Sequence, residues 1–277
     1  MNRVKIMING MPGNMAVRVA TMAAEDKRFE ILPYSLTGPE INDLECRVSN
    51  MNVSLISPKK KDDEIKKIKA INPEFISIDY THPLAVLENA EFYCKNMMPF
   101  VMGTTGSDRD KLEKMVSSYD LYSVIAPNMA KQIVGFQAMM EWAADTFPGL
   151  FDGYSLTIEE SHQQGKADTS GTAKAMAGYF NDLGLTQFSQ SDIIQERNPE
   201  VQQQKWQIPT EFLNGHAWHT YSLVSDDNTV KFRFDHNVNG RDVYVRGTLD
   251  AVNYLAEKIR TGADARIYTM IDVLKQV

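Results

Sequence analysis

Short apolar runs alternate with amphipathic stretches along the first half of the chain. Val4-Lys5-Ile6-Met7-Ile8-Asn9 is one such run, ends at Gly10 and predicts a strand. Residues 14–25 (NMAVRVATMAAE) are rich in alanine and methionine and predict a helix. Residues 75–81 (FISIDYT), 99–105 (PFVMGTT) and 121–126 (LYSVIA) predict further strands, with helices over 83–97 and 108–118 between them. Apolar strands in this rhythm predict a parallel sheet covered by helices on both faces.

The pattern changes near residue 130. Ile133, Phe136, Met140, Ala143 and Phe147 recur at a helical period over 130–147. Tyr154, Leu156 and Ile158 then alternate with Ser155, Thr157 and Glu159, which predicts a half-buried strand. Residues 216–224 and 229–236 are β-rich runs around Asp226-Asp227-Asn228, a hairpin-like turn. From Gly247 the tail returns to a helical pattern (LDAVNYLAEKIR) and is expected to pack on the first domain. The fold class expected is therefore an α/β domain of Rossmann type with a parallel sheet, followed by an α+β domain with a mixed sheet.

Composition narrows the function. The 277 residues suit two domains, and 43% hydrophobic with 23% charged residues describes a folded globular chain. A net charge of −7 argues against nucleic acid as partner, because neutralising phosphates needs a basic face. The run Lys59-Lys60-Lys61, followed by Asp62-Asp63-Glu64, reads as a solvated helix start. Cys46 and Cys94 lack metal-ligand spacing, so no metal site is expected, and Cys94 reads as a small buried hydrophobe. The first apolar run is too short for a signal peptide and no stretch reaches membrane-span length, so cytoplasm is the expected compartment and no membrane partner is expected.

The first strand leads into Asn9-Gly10-Met11-Pro12-Gly13-Asn14-Met15-Ala16. Glycines in such a turn let the backbone approach a pyrophosphate, which then sits on the helix N-terminus. Alone this is an ordinary glycine turn as readily as a nucleotide site. Three more strand ends add Asp79-Tyr80-Thr81, Gly103-Thr104-Thr105-Gly106 and Pro127-Asn128, and in a parallel sheet these ends share the ligand-binding edge. The stretch Pro33–Gly38, at the end of the second strand, has no carboxylate for a ribose 2′-hydroxyl. Ser35 and Thr37 there could take a 2′-phosphate, which tilts the expected cofactor to NADPH and leaves NADH open.

The second concentration of chemistry is Ser161-His162-Gln163-Gln164-Gly165-Lys166-Ala167-Asp168-Thr169-Ser170-Gly171-Thr172. Ser170 or Thr172 is placed to cap a helix (TAKAMAGYFNDLG) that ends near Gly184. That helix start offers N–H groups to a carboxylate, Lys166 adds an ammonium, and His162 ends the preceding strand. Each has a bland reading: a structural histidine, a loop lysine, a plain cap. Together, within twelve residues, they suit binding of a dicarboxylate and protonation after hydride arrives.

These residues resemble the dihydrodipicolinate reductase family. Its bacterial members carry two adjacent histidines, a lysine and Asp-Ala-Pro-Ser-Gly-Thr-Ala. This chain has His162-Gln163, Lys166 and Asp168-Thr169-Ser170-Gly171-Thr172-Ala173, which is similar to the plant-type branch. Val101–Gly106, Gly215-His216-Ala217-Trp218-His219, His236-Asn237-Val238, Gly240-Arg241 and Ile267–Leu274 extend the resemblance over nearly the whole chain. It implies a Rossmann domain of residues 1–128 and 246–277, with 129–245 binding substrate and building a homotetramer. It implies reduction of 4-hydroxy-tetrahydrodipicolinate (dihydrodipicolinate) to tetrahydrodipicolinate, in lysine and diaminopimelate biosynthesis, by hydride transfer from NAD(P)H to C4 followed by protonation.

The resemblance also implies roles. His162 and Lys166 are the acid candidates, and Gln163, Lys166, Ser170, Gly171 and Thr172 grip substrate. By the resemblance Gly10, Gly13 and Met15 lie at the pyrophosphate, Gly103 and Thr104 face the nicotinamide and Pro127, Asn128 and Met129 close the pocket. Asn14, in the same turn, and Asp79, Tyr80, Thr81 and Thr105, at the strand ends, are expected in the cofactor site by position, as are Ser35 and Thr37 at the ribose. Two departures stand out: Ala16 where the family turn ends in glycine, and Gln163 where a second histidine is common. Two alternatives are a reductase of another cyclic imine dicarboxylate and a non-catalytic nucleotide sensor of Rossmann type.

Overall fold

The computed structural model describes residues 3–104, 106, 108–185 and 188–276. They form two compact units, 1–131 with 244–277 and 132–243.

The first unit begins β1 (Val4–Asn9), α1 (Asn14–Glu25), β2 (Phe29–Ile31), β3 (Tyr34–Leu36), β4 (Glu45–Val48), β5 (Met51–Ile56), α2 (Lys61–Ile71) and β6 (Ile76–Asp79). It continues with α3 (Val86–Lys95), β7 (Phe100–Met102), α4 (Arg109–Val116) and β8 (Ser123–Ile125). Helix α5 (Lys131–Thr146) opens the second unit, followed by β9 (Tyr154–His162), α6 (Gly171–Asp182), β10 (Ile194–Glu196), α7 (Pro199–Gln204), β11 (His216–Ser225) and β12 (Lys231–Asn239). The chain then returns to the first unit through α8 (Asp242–Thr261), β13 (Ile267–Tyr268) and α9 (Met270–Leu274).

The six-stranded sheet has the order β13-β8-β7-β6-β1-β2, and every pair in it is parallel. Its central strands are buried, which is why they read as apolar runs rather than alternating ones. Helix α1 buries Ala16, Val19, Ala20 and Ala23, one helical stripe of small residues that lies close to the sheet. Met7, Tyr93, Phe100 and Met102 belong to the core of this unit.

Two features depart from the sequence pattern. Strands β4 and β5 form an antiparallel hairpin that joins β3 in a separate three-stranded sheet. Strand β4 is only four residues with one buried side chain, whereas β5 alternates Met51, Val53 and Leu55 with exposed Asn52 and Ser54; the turn between them includes Ser49 at a left-handed φ of 52°. Helix α8 starts at Asp242, ahead of Gly247. Gly247 is no helix boundary: a Cβ there would overlap the backbone carbonyl of Met129, so the glycine permits a close approach inside the helix.

The second unit carries a four-stranded mixed sheet, β10-β9-β11-β12. Strands β9 and β11 pair antiparallel over nine residues, with Glu160 opposite His219 and His162 opposite Ala217. The alternation seen from Tyr154 to Ile158 gives way to consecutive burial at Glu160, Ser161 and His162. That end of β9 is flanked by β10 and β11 on both edges. Helix α6 packs Ala173, Met176 and Phe180 into a core with Ile158, Tyr221 and Leu223.

Candidate active site

In the first unit, the ends of β1, β3 and β6 are tied by buried polar side chains. Asn9 accepts from the Leu36 N–H and donates to the Tyr93 hydroxyl, which donates in turn to Asp79 at 2.7 Å. Asp79, fully buried, also accepts from the Thr81 N–H and hydroxyl, the Asn89 amide and the Thr104 hydroxyl. Such a carboxylate locks the strand ends that bear Tyr80, Thr81, Gly103 and Thr104. Its lone pairs are therefore committed to the scaffold, and the expectation that Asp79 meets the cofactor directly is corrected to one of support.

The turn between β1 and α1 is shaped by steric necessity. Gly10 has a φ of +103°, and a Cβ on it would overlap the Tyr80 carbonyl. A Cβ on Gly13 would press on the Gly10 carbonyl oxygen, which accepts the Gly13 N–H. The helix that follows has no side-chain cap, so its first N–H groups, at Asn14 and Met15, are presented without a competing side chain. Ala16 is fully buried, so its methyl group sits in the core of the unit.

Ser35 and Thr37 behave differently from expectation. Both are buried; the Ser35 hydroxyl accepts the Met11 N–H, and the Thr37 hydroxyl donates to the Met11 carbonyl at 2.7 Å. They hold the glycine turn and are not turned toward a phosphate. The exposed residue at this place is Glu40, whose carboxylate folds back to where a Cβ of Gly38 would be. The stretch expected to end the second strand is β3, of the three-stranded sheet, and the loop after it carries negative charge, which removes a premise for the NADPH preference. Glu40 lies two residues past Gly38, outside the stretch whose lack of a carboxylate pointed to NADPH.

Of the other residues expected at this edge, Gly103 leaves room for the Tyr80 ring, and Tyr80 bonds Thr248. Burial raises the Tyr80 phenol to about 12. Pro127 is exposed, and the Asn128 side chain accepts from the Ala130 N–H. Met129 is buried, its backbone against Gly247, so its side chain is core. Thr105 lies outside the described residues.

In the second unit, strand alternation puts Glu160 and His162 of β9 on one face with His219 and Tyr221 of β11 and His236 of β12. The turn after β9 carries Gln163, Lys166 and Ser170 into α6, which begins at Gly171. Two buried contacts clamp this turn. Glu160 accepts the Ser170 N–H at 3.0 Å and pairs with Arg197 at 2.6 Å. Arg197 also donates to the Lys166 carbonyl at 3.0 Å. Ser170 stands at the N-cap position without a side-chain cap bond, so its expected capping role is not filled; its backbone N–H donates to Glu160 and anchors the turn instead. The Lys166 ammonium pairs with exposed Asp168 at 2.7 Å and holds the Asp168 carboxyl below its usual range. A Cβ on Gly165 or Gly171 would meet nothing within 4 Å, so the approach to the helix start is open.

His162 lies 3.7 Å from Glu160 and 3.3 Å from His219, ring nitrogen to ring nitrogen. Burial, reinforced by Arg197 and Lys166 nearby, pushes its imidazole down to about 3. The adjacent carboxylate does not reverse this, because Arg197 already neutralises it. His162 is therefore a neutral ring at pH 7. Glu160, His162 and His219 place ligand atoms within 4.8 Å of one another, a two-histidine, one-carboxylate set. The carboxylate is spoken for by Arg197 and Ser170, and two cations stand nearby, so hydrogen bonding fits this set better than a metal ion. Sequence reasoning missed Glu160 and Arg197; a carboxylate two residues before His162, on the same strand face, was the available signal, and Arg197 had none.

Two family models match the chain, dihydrodipicolinate reductase N-terminus over residues 4–129 and C-terminus over 133–274. The chain belongs to the dihydrodipicolinate reductase family. It is 44% identical to 4-hydroxy-tetrahydrodipicolinate reductase 1, chloroplastic, of Arabidopsis thaliana, over 99% of this chain and 79% of that protein. It is 26% identical to the 4-hydroxy-tetrahydrodipicolinate reductase of Methanosphaera stadtmanae, over 98% of this chain and 99% of that one. Among solved structures, the dipicolinate-bound dihydrodipicolinate reductase from Paenisporosarcina sp. TG-14 has the same fold, with a TM-score of 0.66 at 20% identity over 97% of this chain and 98% of that one. In this dihydrodipicolinate reductase family member the N-terminal match covers the part of the first unit that runs to residue 129, and the C-terminal match covers the histidine-bearing unit together with α8, β13 and α9, which return to the first unit.

Proposed function

We propose that this chain reduces 4-hydroxy-tetrahydrodipicolinate to tetrahydrodipicolinate with a nicotinamide cofactor, the step its plant relatives are named for, in lysine and diaminopimelate biosynthesis. The observation that carries the reading is the clamped turn: His162, Lys166 and the open start of α6 lie on one segment that Glu160 and Arg197 hold. The first unit fits the cofactor, since Gly10 and Gly13 permit a turn too tight for any side chain and α1 offers uncapped N–H groups to a pyrophosphate. The cofactor supplies the hydride. Lys166 and the N–H groups at Gly171 and Thr172 take one substrate carboxylate, with Ser170 and Gln163 beside them.

Proton delivery follows from charge. A ring whose pKa lies near 3 carries no proton to give at pH 7, so Lys166 is the donor and His162 orients substrate as a neutral hydrogen-bonding group. Both NADH and NADPH serve on this reading, with Glu40 favouring the 2′-hydroxyl of NADH and no arginine in Pro33–Gly38 to clamp a 2′-phosphate. Glu40→Gln raises the kcat/KM ratio of NADPH to NADH; an unchanged ratio removes Glu40 from cofactor choice.

The homotetramer belongs to the same proposal. Strand β12 is an edge strand of its sheet and carries Phe232 exposed, so it offers backbone and apolar groups to another copy. Light scattering on purified protein checks it. Among the described residues no helix is long and apolar enough to cross a membrane. The expected cytoplasmic location remains a proposal for fractionation to test. A coupled assay, in which the upstream synthase generates the cyclic imine and each cofactor is offered in turn, tests the reaction. Consumption of NADH or NADPH dependent on the imine is the expected result, and none with either cofactor overturns it.

A further inference from the structure

Four of the chain's five histidines lie in the second unit's sheet, and three of them join a single buried chain of contacts. His162 Nε2 meets His219 Nε2 at 3.3 Å, His219 Nδ1 meets the Tyr221 hydroxyl at 3.2 Å, and that hydroxyl meets His236 Nε2 at 3.1 Å. The His219 and His236 rings also stack, with centroids 4.5 Å apart. The remaining nitrogen, His236 Nδ1, is buried and has no partner.

A chain of this kind has two directions, and the unpartnered end distinguishes them. If His162 gave its Nε2–H to His219, the bonds would run outward and end with an unpaired N–H at His236 Nδ1. If His236 gives its Nε2–H to Tyr221, the bonds run inward and the unpaired atom is a bare lone pair. A buried orphan N–H is the rarer and costlier of the two. We propose that His219, Tyr221 and His236 are positioning residues, whose inward-running hydrogen bonds fix His162 as the neutral Nδ1–H tautomer.

The chain then occupies His162 Nε2 with the His219 N–H and leaves Nδ1–H as the ring's donor, for the His216 backbone beside the ring or for a substrate that takes its place. Charges around the ring fit this state. Glu160 Oε2, 3.7 Å away on the same strand, is beyond hydrogen-bonding reach and paired with Arg197. Lys166 from the following turn, Arg197 from beyond β10 and His216 from β11 oppose a positive ring, and a positive His219 is opposed in turn by His162 and His236. The buried end also makes the chain a lock rather than a route to solvent.

The inference rests on the reading of His162 as a substrate-site residue for its effect on turnover, but not for the tautomer itself. Nitrogen-15 NMR of the ligand-free full chain, with His162 assigned through His162→Gln, is expected to show a protonated Nδ1 and a bare Nε2. Tyr221→Phe keeps the ring packing, removes the linking hydroxyl, and is expected to give mixed tautomers at His162. It lowers kcat about tenfold, with KM nearly unchanged, as the loss of one orienting hydrogen bond should. His219→Gln can donate and accept in the same positions and restores both readouts, whereas His219→Leu does not. An Nε2–H or charged His162 in the wild type, or an unchanged tautomer in Tyr221→Phe, overturns the proposal. An expected tautomer with full turnover in His162→Ala would leave the lock standing and sink the functional reading instead.

Discussion

The two units build their ligand-facing groups in opposite ways. In the first, polar side chains at the strand ends turn inward: Asp79, Asn9, Ser35 and Thr37 spend their hydrogen bonds on backbone and on each other. What remains for a cofactor is shape, supplied by Gly10, Gly13 and the uncapped start of α1. In the second, shape matters less and titratable groups are concentrated: Glu160, His162, His219 and His236 share one sheet face, with Arg197 and Lys166 beside them. A cofactor common to many enzymes can be held by backbone geometry. A substrate that must be gripped and protonated demands side-chain charge under control.

Substitutions can break this contrast. The largest effect is expected for Lys166→Ala, which lowers kcat by roughly 10²–10⁴-fold, the range for a lost proton donor. Cofactor binding, followed by tryptophan quenching, stays as in the wild type; a matching loss there would mean that the two units do not divide the work. Arg197→Leu strands Glu160 as an unpaired buried charge and costs about 3–5 kcal/mol, read by urea unfolding. Gly10→Ala meets the Tyr80 carbonyl in a left-handed conformation and costs more than about 3 kcal/mol, with cofactor affinity lost before substrate affinity.

Acid separates the units more gently. His162, His216, His219 and His236 all have pKa values lowered by burial, to about 3 for His162 and about 4 for His236. Unfolding lets each take up a proton near pH 6.5. Their stabilising contribution is therefore whole above pH 6.5 and declines as pH falls toward 3–4, by about 1.4 kcal/mol per pH unit for each fully titrating ring. Thermal unfolding across pH 7 to 4 should show the second unit failing first, and equal loss in both units would contradict the histidine origin. The pH profile of kcat should show no inflection near 6.5 from His162. The smallest change is expected for Asp168→Asn: this exposed partner is worth little, and KM should shift less than about threefold.

Much of this was legible in the chain. Helix α1 fell where composition put it, because alanine spacing and a preceding glycine leave few alternatives. The strand ends shared one edge, since parallel strands leave no other arrangement. What the residues could not reveal was direction. Ser35 and Thr37 looked like ligand hydroxyls until their burial against Met11 was seen. Glu160 looked like a polar residue on a half-exposed strand until β10 covered its edge. Arg197, 31 residues beyond Lys166, reaches the turn only through tertiary structure.

The inward hydroxyls of Ser35 and Thr37 bear on how cofactor choice can be altered, in a laboratory or a lineage. Each is fastened to Met11, so on the proposed reading a substitution meant to retune cofactor choice there would also loosen the glycine turn. On that reading selectivity and affinity would be mechanically coupled at those two positions. They come apart at Glu40, an exposed side chain, and a search for variants that swap nicotinamide cofactors without losing grip should start there.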